Sequence, residues 1–238
     1  MTPYKRLIFV LIDGSPYEIM KELVESGDLP SIGELAQGSG VKKAVTCFPS
    51  TTGPAYIPYF MGLFPGTANL PGYRWISRKH YSKGSHWTRP GICSYNGREA
   101  LGFDADLPDK PTWFDYFESS RSILNLLTKG CAPKDNVTRL KKPFLYAMGH
   151  YSHNWSWADR VAAKSLVEMV KEGPEFIACA FNGVDGHSHG NHSRSNKALK
   201  SYQVIDRAIG ASREELRRKG RLDETLWVIG SDHGHSRT

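Results

Sequence analysis

Residues 6–13 read RLIFVLID, a short run of Leu, Ile, Val and Phe that ends in a carboxylate. Such a run is expected for a strand that is buried on both faces of a sheet. Residues 175–182 (EFIACAFN) and 225–231 (TLWVIGS) have the same character, and helices are predicted between these runs. Strands that alternate with helices predict an α/β fold, with a mostly parallel central sheet and helices on both faces.

The predicted helices carry sequence signals at their ends. The first, over residues 15–27, opens with Ser15, Pro16 and Glu18, which form the pattern of a capping box. Further helices are predicted at residues 31–36, 156–172 and 195–219.

Two segments between these elements matter for the chemistry. Residues 41–48 are predicted as a further strand, which leads through a turn into an aromatic helix that ends near Gly62. Residues 184–191 are predicted as a loop that follows the strand at 175–182. Both segments are therefore expected to bring polar residues to the carboxyl edge of the sheet.

Polar side chains with metal-binding or nucleophilic chemistry follow the predicted strands. They are Asp13, Thr52, Asp185, Asp232 and His233. In open α/β sheets the ligand site lies at the carboxyl ends of the strands, so we expect these side chains to meet there. Asp and His together favour zinc, with manganese or iron as alternatives. Two such ions can stabilise the entering and leaving oxygens of a phosphoryl transfer, and coordination makes a Thr hydroxyl competent as a nucleophile.

Each of these residues also has a simpler structural interpretation. Asp13 could be a turn residue, and Thr51 or Thr52 could be a helix cap. A Thr at the start of a helix would also face unpaired backbone N–H groups, which can hold a phosphate oxygen. Residues 185–189 and 231–235 could be polar surface turns. The combination of all four segments, in this order on this strand pattern, favours a site for phosphoester chemistry.

Five short motifs carry a resemblance to a known family. They are LIDG at 11–14, FPSTTGPAY at 48–56, MGLFPG at 61–66, DGHSH at 185–189 and SDHG at 231–234. On these motifs the chain resembles the alkaline phosphatase superfamily, and specifically its nucleotide pyrophosphatase/phosphodiesterase branch, over nearly its whole length. The resemblance implies an alkaline phosphatase-like fold and a metal-dependent hydrolase of phosphodiester or pyrophosphate bonds in nucleotide-type substrates.

The resemblance also implies roles for individual residues. Thr52 would be the nucleophile, forming a phosphothreonine intermediate that water then hydrolyses. The ligands of one metal ion would be Asp13, Thr52, Asp232 and His233. Two positions depart from the family pattern: Ala55 stands where many relatives have an Asn that touches a phosphate oxygen, and Ala68-Asn69 stands where they often have His-Gly.

The resemblance implies that Asp185 and His189 hold the second metal ion. The family supplies a further His to this ion from well beyond the Asp-His-Gly segment, whereas this chain ends at Thr238. By family spacing His235 lies too close in sequence to fill that place. The Asp-x-x-x-His spacing of Asp185 and His189 excludes two other histidines as ligands, His187 and His192. The second ligand set is therefore expected to be one ligand short, as in a C-terminally truncated core.

Residues 64–150 are less regular than the rest of the chain. They are rich in Gly, Pro, Tyr, Trp and basic residues, most densely in GYRWISRKHYSKGSHWTRPG at 72–91, and a short helix is predicted near 113–119. Two interpretations stand side by side: a set of packed loops, or a cap whose aromatic side chains stack on a substrate base or sugar. The chain is predicted as one catalytic core over residues 1–238 with this region as a cap or insert.

Composition narrows the class of protein less than the motifs do. A chain of 238 residues with ordinary globular composition is long enough for one large domain. The net charge of +7 favours anionic partners, which include nucleic acid, phospholipid surfaces and phosphorylated small molecules, but the default interpretation is a soluble surface with an excess of Lys and Arg. No nucleic-acid motif is recognised. The four scattered cysteines and the lack of a signal or membrane-length run predict a reducing, cytoplasmic location, with two disulfides as the alternative.

Three functions remain open at the level of sequence. The first is hydrolysis of phosphodiester or pyrophosphate bonds of a nucleotide-like substrate by two divalent ions, with zinc favoured. The second keeps the fold but changes the reaction to that of a phosphomonoesterase, a sulfatase-like enzyme or a phosphonate hydrolase; Thr52 argues against a sulfatase, which usually has Cys or Ser there. The third is a truncated, inactive domain that binds one metal ion or an anion.

Overall fold

The computed structural model describes residues 4–76, 91–95 and 102–235, which are built around a parallel sheet. The strands are β1 (Arg6–Ile12), β2 (Arg74–Ile76), β3 (Ile92–Ser94), β4 (Ser120–Ile123), β5 (Phe176–Phe181) and β6 (Thr225–Gly230). Four of them lie side by side in the order β4-β5-β1-β6, and every neighbouring pair runs parallel. Strands β2 and β3 form a separate antiparallel pair.

Helices cover the sheet on both faces. They are α1 (Tyr17–Glu25), α2 (Pro30–Ala36), α3 (Ile57–Met61), α4 (Phe103–Asp106), α5 (Lys142–Ser152), α6 (Ser156–Glu172), α7 (Gly183–Gly190) and α8 (Asn196–Arg218). Short 3-10 turns occur at Pro54–Tyr56 and Trp113–Tyr116. The predicted α/β class, with its parallel sheet between helices, is confirmed.

The central strand β1 divides the hydrophobic core into two halves because successive side chains point to opposite faces. Ile8, Val10 and Ile12 pack into the half that contains α1, α2, α6 and α8. Phe9 and Leu11 pack into the other half, which is aromatic and draws on α3, α4 and the 3-10 turn at Trp113–Tyr116. The unbroken apolar run of β1 after Arg6 is therefore explained by burial on both sides, as its sequence predicts.

Two predictions for the first 50 residues of the chain are wrong. Residues 41–48 are not a strand: within the described residues they make no backbone–backbone hydrogen bond, and Val45 and Phe48 are 95% and 87% exposed. The Thr46 hydroxyl donates to the Asp232 carbonyl instead. The predicted capping box is also absent, because the Ser15 hydroxyl is drawn inward to the Tyr202 hydroxyl, 2.9 Å away.

The region 64–150 contributes to the sheet as well as to its surroundings. Strand β4 lies inside this range and pairs with β5, so that part of the range belongs to the core and not to a cap. The densest aromatic and basic stretch falls largely on residues 77–90, which lie outside the described residues. A cap formed by the remaining part of the region stays a prediction.

Two further observations bear on predictions made from composition. Cys179 is fully buried in the core, as its apolar neighbours in sequence predict. Among the described residues, no helix combines the length and apolar character that crossing a membrane would require.

Candidate active site

The carboxyl ends of three adjacent strands bring the candidate residues together. Asp13 directly follows β1 and donates its backbone N–H to the Phe181 carbonyl at 3.0 Å, which fixes it beside the end of β5. Asp232 and His233 follow β6 on the other side of β1. Asp13 and Asp232 are almost fully buried, so these two carboxylates form the inner part of the site at the carboxyl edge of the sheet.

Thr52 lies within hydrogen-bond distance of the groups at the ends of β1 and β6. Its Oγ is 3.1 Å from Asp13 Oδ1 and 3.1 Å from His233 Nε2. Gly53 follows with φ 98°, a left-handed conformation that turns the chain into the 3-10 turn at Pro54–Tyr56. A Cβ on Gly53 would come within 3.2 Å of Leu126, so both backbone angle and space favour glycine there.

The backbone amides after Thr52 differ from the expected helix terminus. Pro54 has no N–H, and the amides of Ala55 and Tyr56 donate to the carbonyls of Thr51 and Gly53 at 3.1 and 2.9 Å. The amides of Ala55 and Tyr56 are therefore already paired within the turn, unlike the unpaired N–H groups that the sequence suggested at a helix terminus. Ala55 is buried and adds no polar side chain.

The adjacent backbone fixes the orientation of the His233 imidazole ring. Its Nδ1 lies 3.1 Å from the Gly234 carbonyl, so an Nδ1–H donor leaves Nε2 as an acceptor directed into the site. Nε2 is 3.5 Å from Asp13 Oδ1 and 3.5 Å from Asp232 Oδ2. Three other candidate groups of the first metal position, Asp13, Asp232 and Thr52, therefore converge on this ring nitrogen.

Asp185 and His189 lie on a helix, and the predicted loop over 184–191 is wrong. Helix α7 begins one residue after β5, and its first N–H, from Gly183, donates to the buried Asp159 carboxylate at 3.0 Å. Because residues four apart share a helix face, His189 Nε2 comes to 3.5 Å from Asp185 Oδ2. A helix thus places the two expected ligands of the second metal position one turn apart.

His235 is brought to the same place, which family spacing did not predict. Its Nε2 is 2.8 Å from Asp185 Oδ1, and its ring centre is 5.0 Å from that of His189. The two histidines excluded by spacing lie elsewhere: His187 is buried with its Nε2 3.3 Å from the Ser156 hydroxyl, and His192 is exposed.

Two overlapping groups of potential ligand atoms result. The atoms of Asp185, His189 and His235 lie within 4.8 Å of one another, and so do those of Asp13, Asp185 and His233. Asp185 therefore stands between the two positions. Gly14 permits this approach, because a Cβ at Gly14 would lie 2.7 Å from Asp185 Oδ1 and its φ is 67°.

Burial and mutual repulsion shift the acidity of the carboxylates. Burial, with the nearby charge of Asp185, raises the pKa of Asp13 to about 6. Burial and the charge of Asp13 hold the pKa of Asp232 well above its ordinary value. Burial alone would raise the pKa of Asp185, but its hydrogen bond with His235 and the nearby histidine charges lower it. Three adjacent carboxylates favour a positive ion between them.

Two residues of the site gave no recognisable signal in the sequence. Asn182 donates from Nδ2 to Asp13 Oδ2 at 2.9 Å and accepts at Oδ1 from the Tyr146 hydroxyl at 3.2 Å. An Asn at a strand end has the same appearance in sequence as an ordinary turn residue. Tyr146 lies on α5, a helix that the sequence did not predict.

The donor atoms fit divalent metal ions of the zinc type. Asp oxygens and His ring nitrogens are zinc ligands, and both groups offer a mixture of the two. Asp232 Oδ2 is buried and, within the described residues, accepts no hydrogen bond. A buried carboxylate oxygen without a hydrogen-bond donor is costly unless a cation contacts it.

Comparisons with known proteins agree with this geometry. The profile of a protein family described as "Type I phosphodiesterase / nucleotide pyrophosphatase" matches residues 7–238, which include every candidate residue of the site. A comparison with individually curated proteins gave no match.

Proposed function

Because this chain belongs to the type I phosphodiesterase / nucleotide pyrophosphatase family, we propose that it cleaves its substrate with Thr52 as the nucleophile and two divalent ions as cofactors. The family makes the chain a hydrolase of the phosphodiesterase type that acts on small phosphorylated, nucleotide-like substrates. Zinc is the ion we favour, because Asp and His supply the ligand atoms. The net charge of +7 would attract such anionic substrates over long range.

The observation that carries the proposal is the position of the Thr52 hydroxyl. Asp13 Oδ1 and His233 Nε2 each lie 3.1 Å from Oγ, so the proton has an acceptor on either side as Oγ becomes nucleophilic. Bound divalent ions would lower the pKa of this hydroxyl and offset the charge that develops on the phosphoryl oxygens.

The reaction then has two displacement steps at phosphorus. In the first, Thr52 Oγ forms a bond to phosphorus while the bond to the leaving alcohol or phosphate breaks, and the Oγ proton passes to an adjacent acceptor. The product is a phosphothreonine that keeps the second ester group of a diester substrate. In the second step, a water oxygen bonds to phosphorus, the Thr52 Oγ bond breaks, and the hydroxyl regains a proton.

Replacing the nucleophile tests this proposal. Thr52→Ala should lower kcat for an aryl phosphodiester by at least about 1,000-fold, because, among the described residues, no other side chain has a hydroxyl between Asp13 Oδ1 and His233 Nε2 that could replace Thr52 Oγ as the nucleophile. Thr51→Ala is the matched control, since the neighbouring Thr contributes its backbone carbonyl to Ala55 and should retain activity. The measurement is release of the aryl alcohol by both zinc-loaded variants, with an aryl phosphomonoester run in parallel. Wild-type rates in Thr52→Ala would sink the assignment, and a preference for the monoester would redirect it to a phosphomonoesterase.

A further inference from the structure

The imidazole of His235 lies at the second metal position although its place in sequence argues against a role there. We propose that His235 is a protein ligand of the second divalent ion, together with Asp185 and His189. This inference rests on the proposed two-metal function and adds a residue to it. It also changes the expectation that the second ligand set is one ligand short.

The carboxylate of Asp185 is the centre of this arrangement. His235 Nε2 lies 2.8 Å from its Oδ1, and His189 Nε2 lies 3.5 Å from its Oδ2. Both histidines therefore approach with the same ring nitrogen, each from the side of a different oxygen. The ligand atoms of all three residues lie within 4.8 Å of one another.

These separations are close to those required around one ion. Ligands about 2.0–2.1 Å from a tetrahedral zinc are roughly 3.3 Å from each other. The separation of 3.5 Å between His189 and Asp185 already matches, and the 2.8 Å separation between His235 and Asp185 needs to open slightly. The hydrogen bond between His235 and Asp185 would then be replaced by a bond from each of these residues to the ion.

The position is accessible to an ion from solvent. The side chains of Asp185 and His235 are 15% and 17% exposed, whereas that of His189 is 72% exposed. One side of the group is thus fixed by the protein interior and the other is open. The pair of rings meets at 80°, so the two imidazoles do not stack and block the space between them.

The usual number of protein ligands at a catalytic zinc ion agrees with a role for His235. Catalytic zinc sites usually have three protein ligands and keep a fourth position for water or substrate. Within the described residues, Asp185, His189 and His235 together offer three such ligands. The first metal position has its own groups at the ends of β1 and β6, where His233 Nε2 lies 3.5 Å from Asp13 Oδ1 and 3.5 Å from Asp232 Oδ2.

Metal binding by the 238-residue chain tests the assignment without relying on activity. Metal-free wild type, His235→Ala and His189→Ala would be titrated with zinc by equilibrium dialysis and elemental analysis, and with cobalt(II), whose visible absorption reports coordination number. His192→Ala is the matched control, because it removes an exposed histidine outside the cluster. Denaturation of each metal-free variant checks that it folds.

Wild type should bind two ions. His235→Ala should weaken one of them at least about 100-fold, since even partners outside the ligand set contribute 10–100-fold. His189→Ala should weaken the same ion and His192→Ala neither. If His235→Ala is unfolded, His235→Gln keeps a hydrogen-bonding side chain without an imidazole and should show the same loss.

The outcomes separate this inference from the proposed function. Two ions of unchanged affinity in a folded His235 variant would overturn the inference and leave the two-metal function intact. Fewer than two ions in wild type would overturn the two-metal function itself, and the role of His235 with it.

Discussion

Asp13 shows how single side chains prepare the site. Its Oδ1 faces the Thr52 hydroxyl, while its Oδ2 accepts from Asn182, which is in turn held by the Tyr146 hydroxyl. This chain of hydrogen bonds fixes the plane of the carboxylate before any ion binds. Partners of this kind, which orient a ligand without touching the metal, commonly change metal affinity when they are removed.

Asn182→Ala should therefore lower zinc affinity by about 10–100-fold while the fold remains intact. The variant removes the donor to Asp13 Oδ2 and leaves every proposed ligand in place. Asn196→Ala, at the exposed start of α8, is the control. The measurement is competition with a chelator of known affinity, and equal zinc affinity in all three proteins would refute an orienting role.

At the scale of residues, the sequence predicted more of the site than might be expected from short motifs. Asp13, Asp232 and His233 lie together because they follow the adjacent strands β1 and β6. Thr52 reaches them although residues 41–48, the strand predicted before it, are not a strand in the described structure. Asn182 could not be predicted, because its role depends on the distance to Asp13 across two strands. His235 was dismissed on sequence spacing, which carries no information about the direction of the chain after β6.

Among the elements, α7 is the one that most changes the chemistry. Its sequence GVDGHSHG is poor in helix-forming residues, which is why a loop was predicted. Contacts with other elements stabilise this helix despite its low helix propensity. The Asp159 carboxylate accepts a hydrogen bond from the first N–H of α7. Gly186 packs so closely against Trp155 that an added Cβ would lie 2.2 Å from the indole ring. The placement of Asp185 and His189 thus depends on packing against residues that are distant in sequence.

Gly186→Ala should destabilise α7 by about 1–3 kcal/mol, because the new methyl group overpacks the contact with Trp155. Gly190→Ala, at the end of the same helix, is the matched control, since its nearest neighbour would be His153 at an ordinary 3.9 Å. Urea denaturation would measure stability, and zinc titration would measure the second ion. Equal stability of the two variants would contradict this account of α7.

At the scale of the whole molecule, the fold follows from three apolar runs, and the site from where they end. Strands β1, β5 and β6 were predicted because each is a continuous apolar stretch. Strand β4 reads SRSI and was missed, because an edge strand with two buried serines has no such signal. The segment 41–48 was predicted as a strand from its apolar residues, but in the described residues it lies exposed with no neighbouring strand.

One buried carboxyl group, which contacts α7 and α8 from α6, makes the stability of the protein depend on pH. Asp159 is fully buried on α6, and burial raises its pKa to about 7. The protonated form is thus favoured in the folded state. Its contribution to stability is complete below the unfolded pKa, near 4, and is lost as the pH rises through about 7.

Asp159→Asn removes this titration and retains a side-chain acceptor for the Gly183 N–H. Relative to wild type, the variant should gain on the order of 2–4 kcal/mol of unfolding free energy between about pH 4 and pH 7, with no further change above that range. The comparison requires urea denaturation of both proteins with a chelator present, so that metal binding does not contribute. Parallel stability profiles across this range would show that folding does not raise the pKa of Asp159.

The identity of the nucleophile is the central claim, and rapid acid quenching tests it most directly. The zinc-loaded chain would be mixed with an aryl ester of a nucleoside 5′-monophosphate, quenched during the first turnover, digested, and analysed by peptide mass. We expect a burst of aryl alcohol, matched by a nucleoside monophosphoryl group on the peptide that contains Thr52. A burst with that peptide unmodified, or with the group on another side chain, would contradict the mechanism.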